Sequence, residues 1–356
     1  MTIYTCDRCG KSFTQKGHFA NHLKRKRPCK KIVNKVIEEK VQEKLEELVQ
    51  NGDIELKNIN LINNSNINCI DTMEQIPSEQ NKYEFKLGDC IESLISIPDN
   101  SIDIVVTSPP YNIGLKYHKY KDKKPRDQYL EWIYDIFTEL KRILKDDGHI
   151  FLNMGYTNKD PWISMEVAIK LKDLLILQNN ITWVKSISIG EDKNDTHGHF
   201  KPINSDRYIN VTNENLYHFT KSDKVKINRE AIGVPYKYEC NLIDRKTKQH
   251  RIDKKTGLPM ENKRCKGNTW FIPYETIWSK SQKGFHPATF PEGLVEHCIK
   301  ISDIKVGKIL DPFVGSGTTV RVAKKMSDNI EEYNLSGIGF DIDETYIDYC
   351  NESIVD

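Results

Sequence analysis

Two short stretches of this chain carry residue types that could do chemistry. The first is Asp311-Pro312-Phe313-Val314-Gly315-Ser316-Gly317-Thr318-Thr319, between an apolar run at 306–310 and a helical pattern at 320–326. Strand, glycine turn and helix in that order let a backbone approach a nucleotide-like ligand, because glycine has no side chain and tolerates positive φ. About twenty residues on, a second apolar run at 338–340 ends in Asp341, where an acid can accept from ribose hydroxyls. The second stretch is Ser108-Pro109-Pro110-Tyr111, directly after the apolar run 102–107. Two prolines at a strand end neither continue a ladder nor enter a helix interior. They predict a rigid, outward-facing turn that presents one hydroxyl, one free carbonyl and one aromatic ring.

A Gly-x-Gly turn alone is weak evidence; its pairing with Ser-Pro-Pro-Tyr is specific. Together the two motifs resemble those of the DNA amino-methyltransferases, over roughly residues 83–356, with the catalytic motif first as in the β-class permutation. The resemblance implies a catalytic loop of Ser108, Pro109, Pro110 and Tyr111. Ser108 Oγ and the Pro109 carbonyl would accept the two N–H hydrogens of an exocyclic amine, and Tyr111 would stack on a base taken out of the duplex. It implies an S-adenosylmethionine site built from Phe313, Gly315, Ser316, Gly317, Thr318 and Thr319. Asp311 would face the methionine amino group, Asp341 the ribose, and Asp89 with Cys90 the adenine. Within the family, Ser at the first motif position goes mostly with cytosine N4 and Asp or Asn with adenine N6. The expectation is therefore N4-cytosine methylation of duplex DNA, with adenine N6 as the alternative. RNA or protein methylation, or a catalytically dead DNA-binding module, are more distant readings. Carbon-5 cytosine chemistry is excluded, because it needs a Pro-Cys nucleophile beside the catalytic motif and the sole Pro-Cys here is Pro28-Cys29.

These motifs need a scaffold. Strand patterns at 83–87, 102–107, 148–153, 181–185, 215–220, 306–310 and 338–340 alternate with helical patterns at 90–97, 125–144, 162–177, 292–301 and 320–326. The alternation predicts an α/β fold: a doubly wound, mainly parallel, Rossmann-like methyltransferase sheet in permuted motif order, with ligands at the strands' carboxyl ends. Asp89, Ser108, Asp311 and Asp341 all fall at such ends. Residues 83–220 then form the catalytic half, 221–280 a target recognition region punctuated by glycine and proline, and 281–356 the cofactor half. His286-Pro287-Ala288-Thr289-Phe290-Pro291 leads into the 292–301 helix and is expected to shape the methionine end of the site.

The N-terminal 82 residues read differently. Cys6-x-x-Cys9, Phe13, Phe19, His22 and Cys29 are spaced like a zinc finger over residues 1–30, with Cys6, Cys9, His22 and Cys29 as structural zinc ligands and His18 as the rival to Cys29. A unit of thirty residues buries too little surface to fold without such a staple. Residues 31–50 carry an amphipathic helical pattern, whose apolar stripe at 33–49 could mediate a homodimer. Seven Asn between 51 and 68 mark a polar linker that runs to residue 82.

Net charge is only +2 over 356 residues, but residues 1–35 sum to +9 and residues 221–266 to +8, leaving −15 for the rest. Two basic patches on an acidic body suit phosphate contacts. Nine cysteines, an odd number without framework spacing, predict free thiols in a reducing compartment. No apolar run reaches membrane-spanning length and no secretory leader is read at Met1, so a cytoplasmic location, in a microbial cell or at a viral replication site, is expected. A cognate restriction enzyme is the partner such a methyltransferase would have.

Overall fold

The computed structural model describes residues 82–189, 195–198, 203–254, 257–274 and 289–354, together with two short strands and Ala20 near the N-terminus. The chain divides into two compact units, 1–76 and 77–356. In the first, β1 (Tyr4–Thr5) pairs antiparallel with β2 (Ser12–Phe13), Tyr4 opposite Phe13 and Thr5 opposite Ser12. The amphipathic segment 31–50 and the polar linker 51–81 lie outside the described residues.

The second unit holds β3 (Tyr83–Leu87), α1 (Cys90–Ile95), β4 (Ile102–Thr107), α2 (Arg126–Ile143), β5 (Leu144–Met154), α3 (Ile163–Lys170) and β6 (Ile176–Val184). A two-stranded ribbon follows, β7 (Ile187–Ser188) with β8 (Thr196–His197), then β9 (Asn213–Thr220) and β10 (Thr269–Phe271). The chain closes with α4 (Glu292–Ser302), β11 (Val306–Asp311), α5 (Thr318–Asn329), β12 (Asn334–Asp341) and α6 (Glu344–Ser353). Eight strands form one sheet in the order β10-β6-β9-β5-β4-β11-β12-β3. Every neighbouring pair is parallel except the two made by β9, which runs antiparallel to β5 and to β6.

Burial explains the order. All six residues of β4 are buried, as expected for the β-branched run Ile-Asp-Ile-Val-Val-Thr at the sheet's centre. Alternation sends Val105, Ile150 and Leu152 to one face, where they meet α1, α2 and α3. Ile104, Val106 and Phe151 go to the other, against α4 and α5. Helix α2 buries Tyr129, Ile133, Ile136, Phe137, Leu140 and Ile143, the stripe that a 3.6-residue period places on one side.

Three expectations are corrected. The helix expected over 162–177 stops at Lys170, and Ile176 already belongs to β6, paired with Thr220. An apolar run such as Leu174 to Leu177 suits either element, and strand pairing wins. The recognition region is not wholly irregular, because Thr269–Phe271 adds an edge strand parallel to β6 and buries Trp270 to 2% exposure. The proline turn after β4 does not face outward: Pro109 is buried and Tyr111 is only 8% exposed.

Candidate active site

The carboxyl ends of β3, β4, β11 and β12 meet at a cavity of about 260 Å³. It is lined by Asp89 and Cys90 after β3, by Ser108, Pro109, Pro110 and Tyr111 after β4, by Asp311, Phe313, Gly315, Ser316 and Thr318 after β11, and by Asp341. Only Gly317 and Thr319, of the residues expected around the cofactor, stand behind its wall. Gly317 begins α5 at φ +81, and a Cβ there would come within 2.8 Å of Cys350 Sγ. Thr319 is fully buried and donates through Oγ1 to Asp311 Oδ2 at 2.8 Å.

The acids are held by backbone and hydroxyl donors. Asp311 also accepts from Thr107 Oγ1 at 2.8 Å and from the Phe313 amide at 3.1 Å, which ties β4, β11 and α5 together at one carboxylate. Burial still pushes its pKa up to about 6. Asp341 accepts from the Gly315 amide at 3.0 Å and the Asp343 amide at 2.9 Å, and burial raises its pKa too. Asp89 caps α1, accepting from the Ile91 and Glu92 amides. Burial drives the Cys90 thiol up to about 12, so it stays protonated and apolar in character.

The Ser108–Tyr111 loop, expected to be catalytic, is organised by residues that spacing does not reveal. Tyr111 Oη lies 2.8 Å from Ser108 Oγ, donates to Glu214 Oε2 at 3.0 Å and accepts from Asn153 Nδ2 at 2.7 Å. Burial and the Glu214 charge push the phenol pKa well above its ordinary value, so the single proton stays on oxygen and points at Glu214. The Ser108 hydroxyl must then donate to Tyr111, which leaves the serine lone pairs as acceptors. Lys185 Nζ at 2.8 Å balances Glu214 on its other oxygen. Tyr129 Oη anchors the turn by donating to the Pro110 carbonyl at 2.7 Å.

A loop over the cavity was also not anticipated. Asp122 is 1% exposed and accepts from the amides of Asn112, Ile113, Gly114 and Leu115 at 2.7–3.2 Å. Asn112 pairs with both the amide and the carbonyl of Lys124, closing the base of the loop. Tyr117, Lys119 and Tyr120 are thereby placed on the cavity wall. Tyr120 stacks on Trp132 at 5.7 Å, Trp132 meets Phe313 edge-on at 5.6 Å, and Lys124 Nζ lies 4.6 Å from the Trp132 ring centre. An Asp ten residues past an asparagine has no local signature, and Trp132 reads as an ordinary helix residue.

Thr289 and Phe290 line the cavity as well, whereas His286, Pro287 and Ala288 lie outside the described residues. So do the expected zinc ligands Cys6, Cys9, His22 and Cys29, and the rival His18. Among the described residues no cluster of three His, Cys, Asp or Glu is placed to hold a metal ion. The described cysteines are unpaired, with Cys240 and Cys265 exposed. No described helix is long and apolar enough to cross a membrane.

Comparison with known proteins agrees with this geometry. The family model described as DNA methylase, of the N6/N4 type, matches residues 102–352. Type II methyltransferase M.BglII of Bacillus subtilis is 30% identical over 290 residues, 78% of this chain and 71% of the relative. DNA adenine methyltransferase YhdJ of Escherichia coli K12 is 27% identical over 240 residues, 66% of this chain and 72% of the relative. Among solved structures, the cytosine-N4-specific PvuII DNA methyltransferase superposes with a TM-score of 0.52 at 18% identity, covering 77% of this chain and 90% of that one, a shared fold. The chain belongs to the N6/N4 DNA methylase family, and it is an S-adenosylmethionine-dependent DNA amino-methyltransferase.

Proposed function

We propose that this enzyme methylates the exocyclic N4 of a cytosine flipped out of duplex DNA. What supports the amino-nitrogen chemistry is the 2.8 Å contact of Ser108 Oγ with Tyr111 Oη; the choice of cytosine over adenine rests on Ser at the first motif position, which in the resembling family goes mostly with cytosine. With the Tyr111 proton committed to Glu214, the serine oxygen offers lone pairs to an amino N–H. An exocyclic amine is a poor nucleophile because its lone pair is delocalised into the ring. Two acceptors on its hydrogens, Ser108 Oγ and the Pro109 carbonyl, favour sp3 character and aim the nitrogen. This is positioning in a preorganised polar site rather than strong base catalysis.

The cavity fits the methyl donor. Asp89, Asp311, Asp341 and Asp343 outnumber Lys119 and Lys124 along its wall, which suits a ligand with a cationic sulfonium and an amino group. S-adenosylmethionine, when bound, supplies a methyl already activated by that sulfonium. Asp311 is the acceptor for the methionine amino group, Asp341 for the ribose hydroxyls, and the Asp89–Cys90 corner takes the adenine. Phe313, Gly315, Ser316 and Thr318 form the wall along which the donor lies, with Gly317 and Thr319 setting the loop from behind. Tyr111 acts chiefly through its hydroxyl on Ser108, and it lines the cavity where the base would enter. Pro110 stiffens the turn.

Mass spectrometry of nucleosides from DNA methylated in vitro tests the base. N4-methylcytosine supports the proposal; N6-methyladenine alone, the product a relative named as an adenine enzyme would give, overturns it. Parallel RNA and protein substrates test the more distant readings. The Ser108→Ala variant should lose about a hundredfold in turnover, with S-adenosylmethionine affinity unchanged within threefold or so; equal losses would make the loop structural.

Residues 1–30 are proposed to be a zinc-stapled finger through Cys6, Cys9, His22 and Cys29. The β1–β2 pairing supports this, because it brackets Cys6 and Cys9 as the finger's hairpin would. A homodimer through the 33–49 stripe and a cognate restriction enzyme are further proposals, tested by sedimentation and by restriction assays of the protected DNA.

A further inference from the structure

The basic segment 221–266 contains a tandem repeat. Ile243-Asp244-Arg245-Lys246-Thr247-Lys248-Gln249-His250-Arg251 is followed at once by Ile252-Asp253-Lys254-Lys255-Thr256-Gly257-Leu258-Pro259-Met260. Ile, Asp, Lys and Thr recur at a nine-residue offset, and Arg245 is matched by Lys254.

The backbone repeats with it. The bridge between Ile243 and His250 recurs as Ile252 with Pro259. The Asp244 amide donates to the Gln249 carbonyl at 2.8 Å, and the Asp253 amide to that of Leu258 at 2.8 Å. The Lys248 amide donates to the Asp244 carbonyl at 2.9 Å, and the Gly257 amide to that of Asp253 at 2.8 Å. The Arg251 amide reaches the Leu242 carbonyl at 2.7 Å, and the Met260 amide reaches Arg251 at 2.8 Å. Even the left-handed positions coincide, Lys248 at φ +60 and Gly257 at φ +70. The same bridge, amide bonds and left-handed position are therefore made twice, with residues 255–256 of the second copy outside the described residues. Asp244 fixes the first tip by accepting from the Lys246 and Thr247 amides, each at 2.9 Å.

Every residue from Arg245 to Ile252 is exposed, and so is Lys254. The eighteen repeat residues carry six Lys or Arg against two Asp, a net +4, although the body of the protein is acidic. The Lys246 and Thr247 amides engage the Asp244 carboxylate, while Arg245, Lys246, Lys248, Arg251 and Lys254 are exposed. A groove of about 1220 Å³ lies beside the tips; Arg229, Arg251, Lys254 and Lys263 line it together with Glu230, Asp244, Asp253, Glu261 and Asp303, so the net cationic charge is that of the exposed turns and not of the groove.

We infer that the two hairpins are paired prongs that grip the phosphate backbone of the substrate duplex at two separate points. The inference rests on the DNA methyltransferase reading and adds which residues hold the polyanion. A nucleic acid backbone is itself a repeating array of like charges, so a duplicated cationic turn engages it twice with one design. The prongs supply affinity rather than base choice, because lysine and arginine on phosphate carry no sequence information.

The test is the salt dependence of duplex binding by the full-length protein and two variants, Arg245→Gln/Lys246→Gln/Lys248→Gln and Arg251→Gln/Lys254→Gln. Each phosphate contact contributes about 0.9 to the slope of log affinity against log salt. The triple variant should lose about 2 to 3 units of slope and the double variant about 1 to 2, with S-adenosylmethionine affinity unchanged as the check on folding. Loss from both variants supports paired prongs. A wild-type slope in either variant, on a duplex that the wild type binds and methylates, overturns the pairing and leaves the enzyme assignment standing. No salt-dependent duplex binding by the wild type overturns both.

Discussion

At the scale of single residues, the site divides into groups that touch ligand and groups that aim them. Asp341 and Gly315 show the difference. In the proposed function Asp341 accepts from a ribose, while the Gly315 and Asp343 amides that donate to it fix the carboxylate plane. Removing it in Asp341→Ala leaves the Gly315 amide without that acceptor and the ribose without its own. The expected loss of S-adenosylmethionine affinity is about 10- to 100-fold, the cost of one to two hydrogen bonds to a charged group. Gly315→Val should match it by another route, since Gly315 sits at φ +48, where a β-branched residue is strained and would project from the loop. Calorimetry on folded variants checks both, and unchanged affinity in either would remove the donor from this cavity. The acids and glycines were legible in the sequence because they follow their strands immediately. Glu214, Asn153, Lys185 and Asp122 were not, because each reaches the catalytic loop through sheet pairing or loop closure across 10 to 103 residues. Tyr111 shows the same limit: its place after two prolines was legible, but its buried hydroxyl network was not.

At the scale of elements, β9 does more than complete the sheet. Running antiparallel between β5 and β6, it carries Glu214 toward the catalytic loop and His218 into the interior. His218 is fully buried and stacked on Phe151 at 4.4 Å, with His149 beside it. Their nitrogens form a chain. His149 Nδ1 lies 2.9 Å from His218 Nε2, and His218 Nδ1 lies 3.0 Å from Asn179 Nδ2, which can donate to it. Neutral rings satisfy every link, and burial lowers the pKa values to about 4 for His149 and about 3 for His218. Below about pH 6.5 the unfolded chain takes up protons that the native rings refuse, so stability falls as pH drops from there toward the folded values. The slope approaches about 1.4 kcal/mol per pH unit for each ring. Asp311 opposes it, because a carboxyl raised to about 6 binds its proton first in the native state. His297, also lowered to about 4 by burial, joins the rings, and Asp341, also raised by burial, joins the carboxyl, so three rings against two carboxyls leave a net loss on acidification. Urea melts between pH 6.5 and 4.5 should show it, and His149→Gln/His218→Gln should flatten the profile; an unaltered pH profile in that variant would place the acid sensitivity elsewhere. The helix and strand periods made most elements legible. The exceptions were β10 and the early end of α3, where three-residue and ambiguous apolar runs are decided by which strand lies alongside.

At the scale of the whole chain, the charge pattern sets the expected division of labour. A +9 segment over residues 1–35, proposed above as a finger, a polar linker and an enzyme unit with its own basic region predict a tether joined to an enzyme. Deleting residues 1–81 should leave S-adenosylmethionine binding intact while lowering duplex affinity and flattening its salt dependence. Equal binding by the truncated protein at every salt concentration would assign the finger to a protein partner. The parallel contact between β4 and β11 has a different consequence, one of timing. Thr107 and Asp311, 204 positions apart, share a hydrogen bond at the centre of the site. Such non-local pairing is slow to form, because a long loop must close before any contact rewards it. A ribosome-bound chain that has not yet released β11 carries the Ser-Pro-Pro-Tyr loop but no donor wall beside it. The nascent chain therefore lacks the β11 and β12 walls of the cavity until those strands are made.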